Sequence, residues 1–279
     1  MSKVFDALAR EEAVVPKAAL SALLEELASA KARLRPVPNG KPSEVPAAPP
    51  AIRAAVLQIA ARSPLLPFED ANSAAAERYR IARTRITQHP GRPTMIVVSS
   101  AGRGDGKTVT AINLAGSFSL KAEGGVLLVD ADFRHSSMIR QLGLGAAPGL
   151  AEVLEGRNAL EEALTRAGQF PNLYLLPAGQ AAMNPGELLD SERWRELARR
   201  LRQSFEYVVV DSPPVAAVAD YELIQSVCDG TLLVLRPDHT RRRSAAEAFA
   251  AIGKDKLIGV VLNSVPKRFW WGAGDRAVL

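Results

Sequence analysis

The sequence has a single cysteine, Cys228, so no disulfide framework can staple it and a reducing, cytosolic setting is expected. Cys228 lies in an apolar helical stretch and reads as a small buried hydrophobe, not a reactive thiol. Long hydrophobic runs are missing as well. No stretch reaches the roughly 18 apolar residues of a spanning helix, and the amino terminus, although it carries Lys3, lacks an apolar core of signal-peptide length. The expectation is a cytoplasmic protein, peripheral at the inner membrane only through a partner. Aromatic residues make up 5% of the chain, and no tyrosine follows Tyr221. The net charge of +5 is small and spread along the chain, which excludes a strongly basic nucleic-acid footprint, and no nucleic-acid partner is expected.

What is present is enough for one sizeable α/β core with appendages: 279 residues, 47% of them hydrophobic and 23% charged. Residues 1–34 read as two short amphipathic helices. Val4, Phe5 and Leu8 share one helical face, and Leu20, Leu23, Leu24 and Leu27 repeat at helical spacing in the next. Residues 35–70 form a Pro/Ala-rich linker, its part from Arg35 to Pro50 extended because Pro36, Pro38, Pro42, Pro46, Pro49 and Pro50 fix φ and remove amide donors. Residues 71–266 are the main domain, and 267–279 a tail in which Trp270 and Trp271, beside Arg268 and Phe269, offer an aromatic docking patch.

Within the main domain, unbroken apolar runs alternate with helix-period segments. The runs are Met95 to Val98, Val126 to Val129, Leu173 to Leu176, Val208 to Val210, Leu232 to Leu235 and Ile258 to Leu262. Unbroken runs are how strands read when a parallel sheet is covered on both faces. Helices are expected over Val109 to Ala122, Ser191 to Phe205, Tyr221 to Cys228 and Ala245 to Ile252. This alternation predicts a doubly wound, mainly parallel sheet with helices on both faces, and ligands beyond the carboxyl ends of its strands.

The chemistry collects at those ends. After the first run come Ser99, Ser100, Ala101, Gly102, Arg103, Gly104, Asp105, Gly106, Lys107 and Thr108, and then a helical pattern led by Val109. This is the P-loop spacing. The glycines let backbone amides turn onto phosphate oxygens, Lys107 supplies a cation for the β and γ phosphates, and the Thr108 hydroxyl suits Mg²⁺. Two further runs end in carboxylates, Asp130 with Asp132, and Asp211 ahead of Ser212, Pro213 and Pro214. Asp211 fits the Walker B position, since Mg²⁺ needs only one or two carboxylates. Asp130 and Asp132 are placed to position a water or an acceptor hydroxyl in line with the γ phosphate. The aspartate that reads guanine in an Asn-Lys-x-Asp motif is absent after Leu262, so ATP is the expected nucleotide, with Asn263 a contact for the base.

The set as a whole resembles the bacterial tyrosine kinases of polysaccharide assembly, from about Asn72 to Val265. Glu77, Arg80 and Arg83 reproduce a Glu-x-x-Arg-x-x-Arg helix ahead of the first strand. Asp130 to Arg134, Asn184 to Ser191 and Tyr207 to Pro214 fall where that family has like residues. The resemblance implies a ring-type homo-oligomer bridged by Glu77, Arg80 and Arg83. It also implies a separate membrane polysaccharide co-polymerase as activating partner, and phosphoryl transfer from Mg-ATP to protein tyrosine as a switch in exopolysaccharide synthesis and export. In that reading Lys107 neutralises the phosphates, Thr108 and Asp211 organise Mg²⁺ with support from Asp132, and Asp130 is the base. Family members that autophosphorylate end in a tyrosine cluster, which residues 267–279 lack, so autophosphorylation of that kind is not expected. Two alternatives stand beside it: a regulatory ATPase like the septum-positioning and chromosome-partitioning proteins, whose signature lysine is replaced here by Gly102, and a non-catalytic, nucleotide-dependent adaptor.

Overall fold

The computed structural model describes residues 52–59, 65, 73–170, 172–180, 184–215 and 219–264. The helices expected over 1–34, most of the linker, and the tail with Trp270 and Trp271 lie outside the described residues. In chain order the elements are β1 (Arg53–Ala55), α1 (Ala74–Thr87), β2 (Met95–Ser100), α2 (Lys107–Ser119), β3 (Val126–Asp130), α3 (Met138–Leu142), α4 (Leu150–Glu155) and α5 (Leu160–Ala163). There follow β4 (Thr165–Ala167), β5 (Leu173–Leu176), α6 (Pro185–Leu189), α7 (Glu192–Ser204), β6 (Tyr207–Asp211), α8 (Asp220–Ser226), β7 (Gly230–Leu235), α9 (Arg242–Ile252) and β8 (Leu257–Leu262).

The strands form one sheet in the order β1-β4-β5-β3-β6-β2-β7-β8. All neighbours pair parallel except β4 with β5. Every residue of β2, β3, β5 and β7 is buried, because helices cover both faces. Side chains alternate between the two layers. Met95 and Val97 of β2 join Trp194, Leu201 and Phe249 on one side, while Ile96 and Val98 join Ile112, Phe118 and Ile86 on the other.

The helices follow from their patterns. In α7 the apolar residues Trp194, Leu197, Ala198 and Leu201 repeat at i, i+3, i+4 and i+7 and are buried, and the Ser191 hydroxyl accepts the Trp194 amide at 3.3 Å to start the helix. By contrast α2 is buried on nearly all sides, wedged between the sheet and α1, which fits its run of Ala, Ile, Leu and Phe with few charges. Among the described residues no helix is long and apolar enough to cross a membrane.

Within the segment read as linker, residues 53–55 form the edge strand β1 beside β4, and Leu57 and Leu65 are buried in the core. The amide and carbonyl of Leu57 are both engaged by the Gln169 side chain at 3.0 Å, which ties this segment to the domain.

Candidate active site

Strand order places the chemistry. β6 lies between β2 and β3, so three carboxyl ends meet at one point, and Asp130 and Asp211 are register partners there. The Ala131 amide donates to the Asp211 carbonyl at 2.8 Å, continuing the pairing past the strands. From β2 the chain turns through residues 101–106 into α2. Gly104 and Gly106 hold φ of +82° and +94°, conformations closed to ordinary L side chains. A Cβ on Gly106 would lie 1.9 Å from Asn263 Nδ2, so close approach as well as dihedral angle demands glycine here. Lys107, Thr108 and Val109 open α2, and their amides, having no carbonyl one turn earlier, point out of the helix end toward the loop.

The polar side chains form one connected set. Lys107 Nζ donates to Asp132 Oδ2 at 2.7 Å and lies 3.8 Å from Asp211 Oδ1. Thr108 Oγ1 donates to Asp211 Oδ2 at 2.6 Å. Asp130 accepts the Asp132 amide at 3.1 Å and the Ser136 hydroxyl at 2.7 Å, and Asp132 Oδ1 accepts the His135 amide at 3.1 Å. The three carboxylates are all buried. Burial alone would lower the Lys107 ammonium, but Asp211 and Asp132 outweigh it and hold its pKa above the usual lysine value. Burial pushes Asp211 up to about 7 against the opposing pull of Lys107, with Asp130 adding to the rise. Asp130 is raised too, chiefly by burial, with Ser136 and the Asp132 amide pulling the other way.

The residues fit a magnesium nucleotide. Asp211 Oδ1 is buried and makes no hydrogen bond, an oxygen free for a hard cation beside the Thr108 hydroxyl. Among the described residues no group of three acidic, His or Cys side chains is arranged to hold a metal unaided, so phosphate oxygens would complete the shell.

The remaining expected residues divide. The Asn263 Nδ2 donates to the Asp105 carbonyl at 2.9 Å and so supports the loop. Asp105 is buried, its carboxylate accepting the Gly102 amide and the Thr240 hydroxyl, each at 2.8 Å. Arg103 is exposed and its guanidinium meets the His135 ring. Glu77 and Arg80 pair on α1, with Arg80 Nε donating at 2.6 Å. Arg83 turns inward, giving Nη1 to the Ser117 carbonyl near the end of α2 at 2.6 Å. Sequence reasoning missed Ser136, which lies in a loop, and Thr240 and the Arg134–Asp220 pair at 2.8 Å, whose partners are remote in the chain. Only the Arg236 to Thr240 stretch, polar residues directly after a buried strand, carried a signal for one of them.

A P-loop at the carboxyl ends of a mainly parallel sheet, with a Walker-type threonine and aspartate in contact, defines a P-loop ATPase domain. The family model described as an AAA domain matches residues 93–240. The chain is 34% identical over 203 residues to tyrosine-protein kinase YwqD of Bacillus subtilis, covering 71% of this chain and 85% of that one. It is 33% identical over 195 residues to tyrosine-protein kinase CpsD of Streptococcus pneumoniae serotype 4, covering 68% and 85%. The kinase domain of the Escherichia coli tyrosine kinase ETK superposes with a TM-score of 0.69 at 25% identity, over 76% of this chain and 84% of that domain. The chain belongs to the bacterial tyrosine-protein kinase family.

Proposed function

We propose that this chain transfers the γ-phosphoryl group of Mg-ATP to a tyrosine of another polypeptide, as a switch in exopolysaccharide synthesis and export. The observation that carries the reading is the contact of Lys107 and Thr108 with the strand-end carboxylates Asp132 and Asp211, with Asp130 behind them. The amides from Gly102 to Val109 and the Lys107 ammonium hold the phosphates. Thr108 and Asp211, with support from Asp132, would hold Mg²⁺, and the ion would supply charge neutralisation of the transferring group. Asp132 is the partner of Lys107 until phosphate takes the ammonium. The tyrosine oxygen attacks the γ phosphorus, the bond to the ADP oxygen breaks, and the phenolic proton passes to Asp130.

The acceptor belongs to another molecule because none of the four tyrosines is exposed. Tyr174 and Tyr221 are buried, Tyr207 stacks on Phe118 with ring centroids 4.2 Å apart, and Tyr79 is half-buried. A ring of copies joined through Glu77 and Arg80, and a separate membrane co-polymerase as activator, complete the proposal. So does the division into helices 1–34, linker, kinase domain and tail, with the boundary of the domain moved ahead of β1.

Incubation with Mg-ATP, probing phosphotyrosine on the chain and on a generic tyrosine polymer, tests it. Signal on the polymer is expected, and Lys107→Met is expected to abolish it while the fold remains. Silence on both substrates with tight ATP binding would favour the adaptor reading instead.

A further inference from the structure

A phosphate loop can aim its amides inward only by turning its carbonyls outward, and those carbonyls then need donors of their own. Here four consecutive carbonyls each receive a side chain. Ser100 Oγ donates to the Gly102 carbonyl at 2.7 Å and His239 Nε2 to that of Arg103 at 3.1 Å. Arg236 Nη1 donates to Gly104 at 3.4 Å, the longest of the four, and Asn263 Nδ2 to Asp105 at 2.9 Å. The Asp105 side chain fastens the loop from within, linking the Gly102 amide to the Thr240 hydroxyl. Apart from Ser100, these partners come from the ends of β7 and β8, strands that contribute no carboxylate to the reaction centre.

The brace rests directly on the glycines with positive φ. A Cβ on Gly104 would stand 3.1 Å from His239 Nε2, and one on Gly106 would strike Asn263. His239 donates to a carbonyl only with its proton on Nε2, so the contact also fixes the ring's tautomer.

We propose that Arg236, His239, Thr240 and Asn263 are positioning residues: they curve the P-loop before nucleotide arrives, and thereby set how tightly the triphosphate itself is held. The proposal rests on the reading of residues 102–108 as a phosphate cradle. The physical reason is preorganisation. A loop already curved loses little conformational freedom on binding, whereas an unbraced one populates the binding geometry only part of the time and its affinity falls by that fraction. Asn263 thus acts on the phosphates through the loop and not on the base.

The two roles separate by ligand. Asn263→Ala, His239→Phe and His239→Gln are compared with the unaltered chain for binding of ATP and of inorganic tripolyphosphate, both with magnesium, by calorimetry, alongside ligand-free thermal melting. The expected result is about tenfold weaker binding of both ligands for Asn263→Ala and His239→Phe, with melting little changed. His239→Gln, which keeps a donor, is expected to recover most of the loss. In phosphotransfer the change is expected in KM for ATP with kcat largely retained. Weakened ATP binding with unchanged tripolyphosphate binding would return Asn263 to the base and overturn the brace. So would full affinity in both altered chains, or a melting loss that tracks the affinity loss. An unaltered chain that binds ATP but not tripolyphosphate would show that the loop is not preformed. Binding of neither would instead remove the phosphate-cradle reading itself.

Discussion

Lys107 Nζ donates to Asp132 Oδ2 at 2.7 Å, so a triphosphate must compete with a carboxylate for the loop's ammonium group. Replacing Asp132 with Asn removes the competing charge. We expect ATP without magnesium to bind about three- to tenfold more tightly to Asp132→Asn, while phosphotransfer from Mg-ATP falls by on the order of 100-fold. Calorimetry and a phosphotransfer assay measure the two effects. Metal-free ATP bound no more tightly than by the parent would contradict the competition.

Asp211 titrates at about 7 instead of the ordinary 3.8 because it is buried. Between those values the folded chain holds a proton that the unfolded chain has released, so stability falls as pH rises through the window. Asp211→Asn, uncharged throughout and still able to accept from Thr108, flattens that part of the profile. Its melting temperature in the absence of nucleotide should exceed the parent's above about pH 7, while phosphotransfer is lost. Parallel melting curves for the two proteins would contradict the assignment.

Glu152 behaves in the opposite sense. Burial would raise it, but the amides of Gln180 and Gly149, at 2.9 and 2.7 Å, outweigh burial and hold the carboxyl below its usual 4.5. Glu152→Gln sets an amide donor against a backbone donor and should cost about 2 kcal/mol at neutral pH. Because the folded pKa is depressed, the carboxylate's contribution is complete above 4.5 and is lost as pH falls through the lower folded value. The gap between parent and variant in denaturant unfolding should therefore be widest near neutrality and narrow as pH falls below 4.5.

Arg80 and Arg83 separate an assembly contact from an internal one. The exposed Glu77–Arg80 pair contributes no more than about 0.5 kcal/mol to the single chain, so Arg80→Ala should leave melting unchanged and move a large species toward monomer on a sizing column. Arg83→Ala removes the donor to the Ser117 carbonyl and should lower stability by about 1 kcal/mol. An elution volume unmoved by Arg80→Ala would remove the ring.

The fold was legible wherever burial on both faces left an unbroken apolar run. Leu173 to Leu176 is a strand with those very bounds, and β2, β3 and β6 extend only a residue or two past their apolar runs into the serines and aspartates of the site. The three-residue strands β1 and β4 were invisible. Arg53 and Ala54 are exposed, and Arg166 points outward between buried neighbours, so neither segment shows a run. Helices α3 to α5, of four to six residues, are too short to declare a period. Lys107, Thr108, Asp130, Asp132 and Asp211 could be found because each stands at a strand end or in a local motif. The hold of Thr240 on Asp105 and of Arg83 on Ser117 could not, because each joins segments remote in the chain through space alone.

The inward turn of Arg83 gives α1 a mechanical meaning. It grips a carbonyl near one end of α2, and the opposite end of that helix begins at Lys107. Thirteen helical residues make a stiff rod about 20 Å long. The Tyr79 side chain meets Thr110 and Asn113 nearer the start of the same helix, so α1 lies along α2 from its first turns to its last, and a shift of one carries the whole rod that Lys107 begins.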